Sequence, residues 1–486
     1  MKKEASVICR RRDFLKAIGI GAASYAVGGC TTFSSLSTAS HRRPNIIFIL
    51  ADDLGWSELG CYGNRFNETP NLDRLAQKGM RFTQAYASAP VCSPYRASLM
   101  TGQYPARIGM TNYLQPDDAD YLSTDYITIA EKLKSAGYVT GIIGKWHLTG
   151  YAKYGVSEVP PAMHGFDETI VSENDNIGDG TYFYPYAFNT GIKKRLPGRE
   201  YLTDRQNLEA VEFIQRHRKH PFLLYLSHYA VHTTLNGKQE LVEKYLKKPG
   251  AGKDKWAVHN NPHLAAQLES IDQGVGMIMN KLDELDLADN TLLIFTSDNG
   301  GEERVTTNAP LRGGKTRLYE GGIRIPLIMY LPAITPPGAV CTTPVCVTDF
   351  YPTFCRITGL GPPDKQHIDG ISILPLLKNP TARVARDTLY WHYPLPKRHW
   401  LGGRSCGAIR KGDWKLLEFF DDGHLELYNL KEDIGEKNNL AQKMPHKTTE
   451  LLRLLKNWRN SVNTGVSSQP NPRYNAGAKA KQNERN

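Results

Sequence analysis

Five apolar residues, Ile46-Ile47-Phe48-Ile49-Leu50, run without a polar break. An uninterrupted run of that length predicts a strand buried on both faces, as in a parallel sheet covered by helices. Further strands are predicted at Tyr138 to Ile143, Phe222 to Ser227 and Leu292 to Thr296, and Arg81 to Tyr86 reads as a short strand. Between them the period lengthens to that of a helix. Thr69-Pro70 offers a cap and a first helical residue, Leu72, Leu75 and Ala76 an apolar face, and Gly79 a stop. A second helix is predicted from about Tyr126 to Ala136, before Gly137. Leu264, Leu268, Ile271, Val275, Ile278, Leu282 and Leu285 step by four and three, which predicts a long amphipathic helix. This alternation predicts an α/β fold, a large mixed, mostly parallel sheet flanked by helices.

Residues 150–200 show no periodicity and read as an elaborated loop. Its run Tyr182-Phe183-Tyr184-Pro185-Tyr186-Ala187-Phe188 would either stack on sugar rings or pack the loop. After Leu377 the alternation fades. Leu389 to Tyr393, Gly407 to Arg410, Trp414 to Phe420 and Leu425 to Asn429 read as short strands, antiparallel where turns at Lys411-Gly412-Asp413 and Asp421-Asp422-Gly423 join them. Glu450 to Trp458 predicts a last helix. Residues 385–465 are thus a smaller C-terminal α+β domain, following a catalytic domain over 43–384.

Reactive side chains gather just after the predicted strands. The first strand ends in Asp52-Asp53, two adjacent carboxylates that need solvation or a cation. Ligands of open α/β sheets bind at the strands' carboxyl ends, which makes this pair look like ligands of a hard cation. Another strand ends in Gly144-Lys145-Trp146-His147. His228 and His232 follow a third, and Ser297-Asp298-Asn299-Gly300 a fourth. In Arg312-Gly313-Gly314-Lys315, glycines let the backbone approach a ligand closely and Lys315 can reach an anion. Val91 to Gly102 holds Cys92-Ser93-Pro94-Tyr95-Arg96, a reactive side chain with an arginine four residues on.

Composition changes the picture mainly at the ends. Net charge is +11, but residues 1–29 carry +4 and residues 466–486 carry +3, leaving +4 for the body. That distribution gives no ground for nucleic-acid binding. Arg11-Arg12-Asp13-Phe14-Leu15-Lys16 before the mildly apolar run Ala17 to Val27 reads as a twin-arginine export signal over 1–29. Val27-Gly28-Gly29-Cys30 resembles a lipoprotein cleavage box, which would leave Cys30 lipidated; a plain signal peptide is the other reading. Residues 30–42 form a Ser/Thr/Ala-rich linker and 466–486 a disordered basic tail. The expected location is the periplasm or cell surface, with a possible lipid anchor through Cys30. Eight cysteines leave at least one thiol free once Cys9, Cys30 and Cys92 are set aside.

Taken together, six motifs carry a resemblance: Pro44-Asn45-Ile46 through Gly55, Thr69-Pro70-Asn71-Leu72-Asp73, Cys92 through Gly102, Gly144 through Leu148, Ser297 through Gly300, and the Gly313-Gly314-Lys315 loop. The chain resembles the sulfatase family, formylglycine-dependent members of the alkaline-phosphatase-like superfamily, over about residues 43 to 460. The resemblance implies that a formylglycine-generating maturation enzyme converts Cys92 to formylglycine. One hydroxyl of the hydrated aldehyde would attack sulfur, and the second would lose a proton and expel sulfate, splitting one hard step into two. It implies one Ca²⁺ held by Asp52, Asp53, Asp298, Asn299 and the modified Cys92. Arg96 would hold the formylglycine oxygen, and Lys145 and Lys315 the sulfate oxygens. His147 would take the diol proton, and His232 would protonate the leaving oxygen, with His228 as its nearby competitor. Two positions depart from the family pattern: Tyr95, where a small residue is usual, and Val231, where proline is usual.

Three functions are open at this point. A sulfatase acting on sulfated polysaccharide or oligosaccharide fits an exported enzyme with an aromatic loop. A phosphonate monoester or phosphodiester hydrolase would use the same activated cysteine. A non-catalytic glycan-binding relative would leave Cys92 unmodified. Arg398, His399 and Arg404 are expected either to contact acidic sugars or to stay solvated.

Overall fold

The computed structural model describes residues 43–175 and 182–464. The signal segment, Cys30, the linker and the tail 466–486 lie outside the described residues. The five predicted strands form, as β1 Asn45–Ala51, β2 Met80–Tyr86, β3 Val139–Gly144, β5 Phe222–Ser227 and β6 Thr291–Ser297, and four unforeseen ones join them: β4 Glu168–Ile170, β7 Arg324–Tyr330, β8 Ala339–Cys341 and β9 Val345–Cys346. They line up as β4-β3-β5-β1-β6-β7-β2-β8, with β9 beside β2. Only the pairings made by β7 are antiparallel. The carboxyl ends of β3, β5, β1 and β6 therefore sit side by side. Register sets them level: Gly144 and Leu50 both face Ser227, and Ala51 faces Ser297.

Side chains of β1 alternate between two cores, as strand geometry requires. Ile46, Phe48 and Leu50 join one cluster, and Ile47, Ile49 and Ala51 the other, under the helix Pro262–Glu284. The C-terminal strands β10 Thr388–Tyr393, β11 Cys406–Lys411, β12 Trp414–Phe419 and β13 Leu425–Asn429 form a separate antiparallel sheet. Trp391, Ala408 and Leu417 belong to the same cluster as Phe48, so this sheet shares its core with the large one. Its other face buries Ile409, Leu416 and Leu427 against the helix Pro445–Ser461, which is longer than the Glu450–Trp458 period predicts.

Several elements differ from expectation. The helix expected over Tyr126 to Ala136 runs only Ile129–Lys134, because Thr128 and Glu131 form a capping box that starts it there. The helix Leu202–His217 has no clear apolar period; its buried face includes Arg205, Gln206, Asn207 and Glu209. Strand β7 was hidden by Pro326, which reads as a strand breaker. It is tolerated because β2 loses register between Phe82 and Ala85, opposite it. The aromatic run packs the loop: Tyr182, Tyr186 and Phe188 are buried. The six cysteines among the described residues are all free thiols, Cys341 and Cys346 included.

Candidate active site

Cys92 is the first residue of the helix Cys92–Thr101, whose ten residues are all buried. Val91 before it is extended, and Gly102 closes the helix in the left-handed region. Tyr95 belongs to the core, which accounts for a large side chain at that position. Arg96 lies one turn after Cys92 and is wholly buried. Its Nη1 donates to Lys145 O at 2.9 Å and Ser227 Oγ at 2.6 Å, and its Nη2 to Asp298 Oδ2 at 2.9 Å. One guanidinium thus ties the helix to the ends of β3, β5 and β6.

Asp52 and Asp53 follow β1, and Asp298 and Asn299 follow β6. Asp53 N donates to Asp298 Oδ1 at 3.1 Å, and Asn299 Nδ2 to Asp53 Oδ1 at 2.8 Å. Lys145 Nζ donates to Asp52 Oδ2 at 2.5 Å and Lys315 Nζ to Asp53 Oδ2 at 2.6 Å. Two oxygens remain over. Among the described residues, Asp52 Oδ1 and Asn299 Oδ1 are buried without a hydrogen-bond partner. Buried acceptors are almost always satisfied. Ligand atoms of Asp52, Asp53, Cys92 and His232 also lie within 4.8 Å of one another. Carboxylate and amide oxygens are the donors a hard divalent cation takes, so these residues fit one.

The carboxyl groups respond to each other and to the cations. Burial would raise the Asp52 pKa, but Lys145, His232, Arg96 and Lys315 hold it well below the ordinary range. Asp298 is pushed up to about 7, by burial and then by Asp52, against Arg96. Burial also pushes the Cys92 thiol up to about 12, which Lys145 and Lys315 oppose and Asp52 and Asp298 assist. In this setting a plain thiol keeps its proton at neutral pH and is a poor nucleophile.

His147 sits at φ 55°, a conformation unusual outside glycine. Glu173 holds it there. This carboxylate accepts from Trp146 N, from His147 N at 2.7 Å, and from the hydroxyls of Tyr151 and Tyr229. His147 Nε2 lies 2.9 Å from Leu114 O and must be the protonated nitrogen, since a carbonyl only accepts. Nδ1 has no hydrogen-bond partner among the described residues and keeps its lone pair. Burial, Lys145 and Arg96 lower its pKa well below the usual value, so the ring is neutral. His232 and His228 separate clearly. His232 lines the pocket, with Nδ1 2.5 Å from Thr233 O and Nε2 3.7 Å from Asp53. The His228 ring is buried, with Nδ1 3.3 Å from Gln206 Oε1.

The glycines around Lys315 serve a different purpose from the expected approach to a ligand. A Cβ on Gly300 would meet Gly321 O at 1.7 Å, and one on Gly314 would meet Gly301 O at 2.4 Å. They let the loop lie directly on the chain after β6. Lys315 N donates to Gly301 O and Gly300 N to Gly322 O, each at 3.0 Å. This packing brings Lys315 to the acids.

Cys92, Lys145, His147, His232 and Lys315 line one cavity of about 330 Å³. Its outer wall includes Tyr113, Trp256, Arg304, His399 and Trp400, which sequence patterning singled out only at His399. Of the other two basic residues expected near acidic sugars, Arg398 is exposed and Arg404 is paired with Asp421 and Asp422. Glu173 and Ser227 were also not foreseen. Glu173 lies in a stretch without period, and Ser227 reads as an ordinary strand end.

Residues 44–360 match the family model described as Sulfatase, and residues 314–461 match the one described as N-sulphoglucosamine sulphohydrolase, C-terminal. A sulfatase of Formosa agariphila is 32% identical over 88% of this chain and 91% of its own. Human steryl-sulfatase is 33% identical over 72% of each chain. Among solved structures, Ps i-CgsB in complex with k-i-k-neocarrahexaose is 29% identical, with a TM-score of 0.74 over 91% of this chain and 97% of its own. The chain belongs to the sulfatase family of the alkaline-phosphatase-like superfamily and is a sulfuric ester hydrolase.

Proposed function

We propose that the enzyme removes sulfate from sulfated polysaccharide or oligosaccharide, with Cys92 matured to formylglycine and one Ca²⁺ held by Asp52, Asp53, Asp298, Asn299 and residue 92. The observation that carries this reading is the pair of partnerless buried oxygens, Asp52 Oδ1 and Asn299 Oδ1, beside Cys92 and between two lysines. The neocarrahexaose complex of a relative supports a saccharide as substrate. When bound, the cation would act as a Lewis acid toward the ester oxygens and the hydrated aldehyde would supply the nucleophile.

The chain's own residues supply the remainder. Lys145 and Lys315 bind the sulfuryl oxygens, where charge is concentrated in the transition state. Arg96 fixes the nucleophile's helix against Asp298 and Ser227. His147 accepts a proton at Nδ1, the nitrogen left without a partner. His232 stands on the leaving-group side. Its Nδ1 proton is engaged by Thr233 O, so it donates only from Nε2, as an imidazolium.

Maturation by a formylglycine-generating enzyme and export by the twin-arginine route, with an anchor at Cys30, complete the reading. Sulfate release from positionally defined sulfated saccharides tests it, with matched phosphate and phosphonate esters in parallel. Sulfate release at least about a hundredfold faster than phosphate or phosphonate release is expected. Preference for the phosphorus esters would contradict it in favour of the phosphonate or phosphodiester alternative.

A further inference from the structure

The pocket rim carries a group that the chemistry at Cys92 leaves unused. Trp256 and Trp400 are 43% and 63% exposed. Tryptophan is a costly side chain to leave in water, and single exposed apolar residues need a use only when they gather. These two gather around Arg304. Its guanidinium carbon lies 5.3 Å from the Trp256 ring centroid and 4.4 Å from that of Trp400.

Three separate segments build this group. Trp256 precedes the helix Pro262–Glu284, Arg304 follows β6, and Trp400 lies between β10 and β11. Two of the three are braced from behind. Arg304 Nε pairs with Glu302, and Glu302 accepts from Thr233 Oγ1 at 2.7 Å. His399 stacks on Trp400 with centroids 5.6 Å apart, and Tyr113 meets His399 edge-on at 5.7 Å. Among the described residues, no hydrogen bond or ion pair engages the Nη groups of Arg304. A planar cation held between two indoles with both terminal nitrogens available suits a bidentate oxyanion. The exposed surface of Trp400 beside it can meet the apolar face of a pyranose ring.

We propose that Trp400 and Arg304, with Trp256 behind, form a second-ring subsite. In it the sugar adjoining the sulfated ring packs against the exposed surface of Trp400, and a sulfate or carboxylate on that sugar is held by the Arg304 Nη groups. The substrate class is then an anionic saccharide of at least two rings, charged on both. This rests on the glycan reading above and adds the neighbouring ring and its charge. Continuity with the reaction pocket supports it, since all three residues line the cavity that holds Cys92 and both lysines. Bare packing explains the group poorly, because most of the Trp400 surface stays in water.

The test measures kcat/KM on 4-nitrophenyl sulfate, galactose and N-acetylglucosamine monosulfates, their disaccharides with a neutral neighbour, and the same disaccharides sulfated on both rings. The wild-type enzyme is expected to prefer the doubly sulfated disaccharide over the monosaccharide by about tenfold or more. Trp400→Ala should lower the disaccharide-to-monosaccharide ratio for both disaccharides by about five- to tenfold, in KM, and Trp400→Phe should recover part of it. Arg304→Ala should erase the advantage of the second sulfate alone, and added salt should mimic it. Unchanged ratios in both variants, or a wild-type preference for monosaccharides, would overturn the subsite while leaving the glycan reading intact. Hydrolysis of 4-nitrophenyl sulfate with no saccharide cleaved would overturn the glycan reading, and the subsite with it.

Discussion

Around Lys415 three of the four carboxylate oxygens accept a hydrogen bond and the fourth, Glu436 Oε1, lies against the lysine itself, whereas among the described residues two buried oxygens around Asp52 have no hydrogen-bond partner. Lys415 Nζ lies 2.9 Å from both Glu320 Oε1 and Glu436 Oε1. Glu320 Oε2 accepts from Tyr86 at 2.6 Å and faces Arg324, and Glu436 Oε2 accepts from Glu320 N at 2.7 Å. This cluster joins β2 and the start of β7 to the C-terminal sheet, and each of its carboxylates faces a cation of its own. The other cluster holds three carboxylates and three cations, all buried, and still leaves Asp52 Oδ1 and Asn299 Oδ1 over. Asp53, His147 and Thr316 nearby sit at positive φ. A closed network fastens two layers; an open, strained one is set for a ligand.

The largest expected effect lies in the open cluster. Cys92→Ala should abolish sulfate release, a loss of about 10⁴-fold or more, with an unchanged circular dichroism spectrum. Activity surviving in that variant would dissolve the distinction. The closed cluster should answer in stability instead. Lys415→Met leaves two buried carboxylates facing each other and should cost about 3–5 kcal/mol in denaturant unfolding. A cost under about 1 kcal/mol would mean that the junction does not depend on it.

A divalent cation should separate the clusters by linkage. Saturating Ca²⁺, at about a hundred times its Kd, should stabilise the wild-type protein by ~2.7 kcal/mol, and a chelator should reverse this. Asp52→Asn should blunt the response, and Glu436→Gln should not. Equal responses in both variants would place the cation elsewhere. The smallest effect concerns pH. Glu436 is pushed up to about 7, by burial and then by Glu320, against Lys415. A raised acid is protonated more readily in the folded state. Its contribution is therefore fully present below the unfolded value and is lost as pH rises through about 7. Unfolding free energy should fall by about 1–2 kcal/mol between pH 5 and 8, and Glu436→Gln should flatten that slope.

The open cluster was the more legible of the two in sequence, for a physical reason. Asp52, Asp53, Lys145, His147, Asp298 and Asn299 sit within three residues of the ends of buried strands, and a level parallel register brings such positions together without further information. Lys315 was legible as a lysine in a glycine loop, but the use of those glycines was not, because Gly300 and Gly314 are required by backbone contacts from distant chain. Choosing between His228 and His232 needed the direction of each side chain just after β5. Glu173 left no signal at all, since its partners are backbone groups and tyrosines from three other segments. The closed cluster was equally silent. Glu320, Lys415 and Glu436 are scattered single charges that look solvated until two sheets bury them together.

In the proposed mechanism the pocket works through a residue 92 that is no longer a thiol. Mass spectrometry of the tryptic peptide spanning residue 92, on enzyme of measured sulfatase activity, tests this directly. The peptide is expected ~18 Da below its unmodified mass, the loss on conversion of thiol to aldehyde. An unshifted mass in fully active enzyme would contradict the account.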